Sequence, residues 1–160
     1  MNMFVCTRTK KFPEGIPNLN RAQRKQVTQG NVLMRKAMQL ATRASLKGIP
    51  VSIENPKSSC MWHTQVFKAF QRRCKPQRFD FDMCRFGAYY RKRTTIFTTN
   101  GLDLQALALR CNCTKPHKNL SGWVAFKGEK RMTTKSATAY PTQLCECWAR
   151  CVAMHLGQAD

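Results

Sequence analysis

Apolar residues recur at helical spacing in three stretches of this chain and alternate with polar ones between them. That interleaving limits the fold to a small α/β domain. Leu33, Ala37, Leu40, Ala41 and Ala44 form one helical stripe, Trp62, Val66, Ala69 and Phe70 a second, and Leu144, Trp148, Val152 and His155 a third. They predict helices near 31–46, 59–72 and 141–155, with Asn31 capping the first, Gly48 ending it, and Pro141 opening the last. Ile49–Pro56 reads as a short strand, Phe79–Cys84 alternates apolar and polar, and Thr94–Thr98 is a third β-rich run. The short gap between the last two suits antiparallel pairing, because a parallel crossover needs about a dozen residues. A short helix is expected over 103–110 and irregular chain over 111–140. Residues 1–30, broken by Pro13, Gly15, Pro17 and Gly30, read as a basic arm or loop. The remainder, 31–156, reads as a single domain of about three strands, a length of 160 residues being too short for two.

Charge narrows the partners. The chain carries 28 Lys+Arg against 8 Asp+Glu, a formal net charge of +20. Such an excess favours a polyanion, because neutralised phosphates release condensed counterions. Nucleic acid, DNA or RNA, is therefore the expected partner; a purely solubilising surface is the bland alternative. No stretch of 18 apolar residues occurs, so no membrane-spanning helix is expected. Arg24 and Lys25 on the arm, with the interleaved Tyr89, Tyr90, Arg91, Lys92 and Arg93, are the candidate nucleic-acid contacts, since rings beside cations hold single strands by stacking.

Nine cysteines would suit a disulfide scaffold, but the count is odd and Met1–Phe12 has no apolar signal core. A reducing compartment, nuclear or cytoplasmic, is the expectation, with an organellar alternative from the acid-poor start. The thiols then serve as core residues or metal ligands. Cys111-x-Cys113-x-x-x-His117 and Cys145-x-Cys147-x-x-x-Cys151 share one spacing, which suggests a common tetrahedral zinc site. On a helix beginning at Pro141, Cys147 and Cys151 share a face that Cys145 does not. The candidate zinc ligands are therefore drawn from Cys111, Cys113, His117, Cys147 and Cys151.

Familiar catalytic signatures are missing: no glycine-rich phosphate loop, no His-Glu-x-x-His, no Gly-x-Ser-x-Gly. The most informative constellation is Glu54-Asn55-Pro56 at the carboxyl end of a predicted strand, where open α/β sheets bind ligands and where a carboxylate can accept from a base edge. A capped turn is the bland alternative. Glu54 with Asp80 or Asp82 would also serve a metal nuclease.

Taken in order, Gly30-Asn31, Glu54-Asn55-Pro56-x-x-Ser59-x-x-Trp62, Asp82-x-Cys84-x-Phe86-Gly87, Lys92-x-Thr94 and Ala139-Tyr140-Pro141-x-x-Leu144-Cys145 resemble the carboxyl-terminal half of cytosine-C5 DNA methyltransferase-like domains carried in mobile-element reading frames. The resemblance implies a partial Rossmann-like, three-layer sheet, with Glu54 as vestigial base-edge acceptor and Asn55 as its orienting neighbour. It also implies S-adenosylmethionine as cofactor, but only where a partner chain supplies the amino-terminal half. The chain has no Pro-Cys dipeptide and no glycine turn for the methyl donor. Methyl transfer to C5 needs a thiolate nucleophile, so catalysis by this chain alone is not expected. The expectation is an incomplete methyltransferase-like module that binds nucleic acid. The rival is a zinc-stabilised nucleic-acid-binding or assembly module, and a third option is half of a split methyltransferase.

Overall fold

Asn20, not Asn31, opens the first helix. In the computed structural model, which describes residues 6–118, 120, 123–126, 129–132 and 139–157, α1 runs Arg21–Leu46. The Asn20 side chain accepts from the Gln23 N–H while the Gln23 side chain accepts from the Asn20 N–H, a reciprocal capping box. Ten residues assigned to the arm are therefore helical. Gly30 misleads because an interior glycine costs only about 1 kcal/mol relative to alanine and tertiary contacts offset it. Residues 6–20 fold back along this helix: Arg8 donates to the Val27 carbonyl at 3.1 Å, and Asn31 donates to the Glu14 carbonyl at 2.7 Å. Asn31 is thus a buried mid-helix tether.

The buried stripe of α1 is Val27, Asn31, Met38, Ala41 and Ser45. Leu33 and Leu40 of the expected stripe are exposed, at 71% and 67%. Counting apolar residues placed the face a fraction of a turn away, because the true face contains Asn31 and Ser45, polar residues that an apolar count leaves out.

After Gly48 comes β1 (Ser52–Pro56), a 3-10 turn over Cys60–His63, α2 (Gln65–Cys74) and β2 (Gln77–Asp82). A second 3-10 turn, Met83–Phe86, leads round to β3 (Arg93–Thr98). The short helix expected near 103–110 is a 3-10 turn over Gln105–Leu107. A hairpin of β4 (Trp123–Phe126) and β5 (Glu129–Met132) occupies part of the stretch expected to be irregular, and α3 (Thr142–His155) follows Pro141.

The main sheet has the order β1-β3-β2 with both pairings antiparallel. β1 and β2 therefore run parallel to each other with β3 between them, and α2 forms the crossover of a split β-α-β unit. The expected small α/β domain of three strands with flanking helices is present. Its strand directions differ from a doubly wound sheet, in which neighbouring strands are parallel.

The sheet separates two cores. On one face Met38, Ala41, Phe67, Phe70 and Phe97 pack together with Ile53 and Trp62. On the other, Phe79, Phe81 and Ile96 meet Leu104, Leu107, Leu144 and Cys151. Helices α1 and α2 thus cover one face and α3 the other, the three-layer arrangement. Phe67, fully buried, was missed because Trp62 belongs to the 3-10 turn rather than to the helix whose stripe it was counted in.

Candidate metal centre

Three residues of the expected zinc set come together, and a fourth ligand arrives from elsewhere. Cys84, Cys111, Cys113 and His117 offer ligand atoms that all lie within 4.8 Å of one another, and this cluster could hold a metal ion such as zinc. Bonds of ~2.3 Å to sulfur in a tetrahedron put ligand atoms about 3.8 Å apart, so a small contraction of the cluster suffices. The Cys111 Sγ to His117 Nε2 distance is already 3.6 Å.

Cys147 and Cys151 do not join it. Cys151 is buried and Cys147 half-buried, and both pack against the core beneath α3. Their shared helix face is a core face, the commoner fate of a free cysteine. Cys145 is exposed. Cys84 takes their place because the 3-10 turn that follows β2 aims it at the segment leaving the Gln105–Leu107 turn. Asp82-x-Cys84 stands in the sequence as a motif, but no spacing rule links position 84 to 111–117.

A braced backbone holds the two halves in register. The Asp82 N–H donates to the Leu109 carbonyl at 3.0 Å, and the Cys111 N–H donates to the Asp82 carboxylate at 2.9 Å. Arg91 donates to the same carboxylate at 3.2 Å. Burial works against charge on Asp82, but the Cys111 N–H and Arg91 outweigh it and hold its pKa below the ordinary carboxylate value. Asp82 is therefore a positioning group for Cys111.

The thiols perturb one another. Burial, followed by the neighbouring Cys111 and Cys113, pushes Cys84 up to about 12. Cys111 moves down, chiefly through the hydrogen bond with the Cys113 backbone, helped by the thiol neighbours and by Arg91. Three thiols in contact resist joint ionisation in the absence of a cation, and a divalent ion removes that penalty.

The other expected site residues are dispersed. Glu54 sits in β1 with its carboxylate on the α3 face, where Tyr140 donates to Oε2 at 2.8 Å and Lys92 Nζ lies 4.0 Å from Oε1. Asn55 points to the opposite face and donates to Met61 Sδ at 3.5 Å, so the two do not act on one ligand edge. Glu54 shares a cross-strand row with Ile96 and Phe79, which places Asp80 on the other side of the sheet. The joint metal contact of a nuclease is thereby excluded for that pair. Asp80 is instead enclosed by Lys57 at 3.2 Å, Arg78 at 3.1 Å and Arg110 at 2.8 Å, with a hydrogen bond from Thr95. Burial opposes its charge, but these donors outweigh it and keep it well below the usual range.

The aromatic and basic turn also divides. Tyr90 is 4% exposed and belongs to the core, so it offers no ring for stacking. Tyr89 is exposed, with Lys118 over its ring. Arg91 is committed to Asp82, Lys92 turns toward Glu54, and Arg93 is exposed on the sheet face bearing α2. Arg24 and Lys25 are exposed in the first turns of α1. Among the described residues no helix is long and apolar enough to cross a membrane. No family model, curated protein or solved structure matches the chain.

Proposed function

We propose that the chain is a metal-stabilised nucleic-acid-binding module, with zinc held by Cys84, Cys111, Cys113 and His117. The observation that carries this reading is the convergence of four soft and imidazole ligands from two segments more than 25 residues apart in sequence, tied together through Asp82. A closed set of four protein ligands leaves no open position, which fits a structural rather than a hydrolytic zinc. The metal would pin the segment after the Gln105–Leu107 turn to the end of β2, and the +20 charge would supply affinity for phosphates.

Two measurements test it together. Purified protein should contain about one equivalent of zinc, lost with a lowered thermal midpoint on chelation or in Cys84→Ser and Cys113→Ser. It should bind DNA or RNA at low salt and release it as salt rises. Absence of metal in protein purified with zinc present, or an unchanged midpoint after chelation, refutes the metal role; absence of binding at low salt refutes the partner.

A second reading, the rear part of a methyltransferase-like fold, draws support from one contact. Tyr140 of Ala139-Tyr140-Pro141 meets Glu54 of Glu54-Asn55-Pro56, so two motif segments 86 positions apart touch. S-adenosylmethionine titration of the isolated chain should give no heat, and only a partner carrying the missing half would restore it.

A further inference from the structure

On the α2 face of the sheet, lined by none of the four residues of the thiol cluster, lies a cleft of about 520 Å³. Lys10, Lys57, Arg78 and Arg93 line it, together with Trp62 and Phe97, and no acidic side chain does. Four cations around two rings are the chemistry of a nucleotide: the phosphate needs donors and the base needs a flat apolar wall. We propose that this cleft is the seat of a single-stranded nucleic-acid segment, its phosphates on Lys10 and Arg93 and one base against Trp62. The assignment rests on the nucleic-acid reading above and locates it on the molecule.

The division of labour among the cations follows from their partners. Lys57 and Arg78 both pair with Asp80, which holds their side chains in place but neutralises part of their charge. Arg78 also lies over the Phe97 ring, 5.9 Å from its centroid, so that ring is already covered. Lys10 and Arg93 are exposed and have no carboxylate partner among the described residues, so their charge is available to a ligand. Trp62 is half-buried, its indole N–H donating to the Pro56 carbonyl at 3.0 Å and its ring packed on Phe67 and Phe97. The ring is thereby fixed before any ligand arrives, and a pre-positioned ring loses little entropy on stacking.

A single strand is favoured over a duplex for a physical reason. The aromatic wall lies within a cleft, and a base reaches it only when it is unstacked from its neighbours and unpaired. A duplex would meet only the outer cations.

The test compares Lys10→Glu/Arg93→Glu with Lys47→Glu/Arg150→Glu, which changes net charge equally at exposed sites outside the cleft. The probes are oligothymidylate and a duplex of matched length, titrated over a series of salt concentrations. Wild-type protein should prefer the single strand, with its Trp fluorescence quenched on binding. The cleft variant should lose at least ~10-fold more affinity than the control, and its log–log salt slope should fall by about 1.4, or 0.7 for each lost single-strand phosphate contact. Circular dichroism and the thermal midpoint of both variants should match wild type. Equal losses in the two variants, or a wild-type preference for duplex, overturn the cleft while leaving nucleic-acid binding intact. No binding by wild-type protein to either probe overturns both.

Discussion

At the scale of single residues, Asp82 is the side chain on which the most depends. Its carboxylate accepts from Cys111 N–H and from Arg91 while 1% of its side chain remains exposed. Asp82→Ala would remove the carboxylate that Arg91 pairs with and release the backbone that presents Cys111. We expect zinc affinity in a chelator competition to fall by about 10- to 100-fold, the range seen for groups that orient ligands. Asp82→Asn keeps an acceptor for the N–H and should lose less. Asp80 carries a different expectation. Its pKa, like that of Asp82, is lowered in the folded state. The stabilisation is therefore complete above the unfolded carboxylate value near 3.9 and is lost as pH falls through the folded value. Urea midpoints should decline from about pH 5 downward, and Asp80→Asn should flatten that acid limb and cost about 2 kcal/mol at neutral pH, the size of hydrogen bonds to a charged group. In the core, Phe67→Ala should cost about 3–5 kcal/mol in urea unfolding, because the ring is 0% exposed and meets Trp62, Phe70 and Phe97.

At the scale of elements, the ends of helices decide more than their middles. Lys75 caps α2 at φ 44° and ψ 53° and is followed by Pro76, so a residue with a Cβ holds a left-handed conformation before a proline. Lys75→Gly should raise stability by about 1 kcal/mol in equilibrium unfolding. Asn20→Ala, removing the capping box of α1, should lower it by about 1 kcal/mol. Boundaries of this kind explain where sequence reading succeeded. The three strands of the main sheet were legible because Phe79 and Phe81 alternate with polar residues and the Ile49–Pro56 and Thr94–Thr98 runs are rich in β-branched residues, and α3 was legible from Pro141 and Leu144. The start of α1 was not, because its early turns are polar and basic and are held by the folded-back segment through Arg8 and Glu14. The β4–β5 hairpin was missed because its Phe126–Glu129 connection carries only one glycine in an otherwise basic stretch.

For the whole molecule, the thiol cluster ties the Met83–Phe86 turn to residues 111–117, whereas α1 and α2 pack in a core that contains none of its ligands. Chelation should therefore accelerate amide hydrogen exchange over 103–118 and the Met83–Phe86 turn far more than over α1 and α2. Uniform acceleration would show instead that the metal holds the entire domain.

The residues alone determined the class of fold, the basic surface, the strand segments and a soft-ligand group at Cys111, Cys113 and His117, because each is written in local periodicity, composition or short spacing. Only the tertiary structure chose Cys84 over Cys147 and Cys151 as the fourth ligand, sank Tyr90 into the core, turned Glu54 and Asn55 to opposite faces, and gathered Lys10, Lys57, Arg78 and Arg93 around Trp62. The reason is one of range: spacing along a chain reports neighbours within a turn or a strand, whereas a ligand set or a charged cleft is assembled across a sheet by strand order and pairing register, which no short segment encodes by itself.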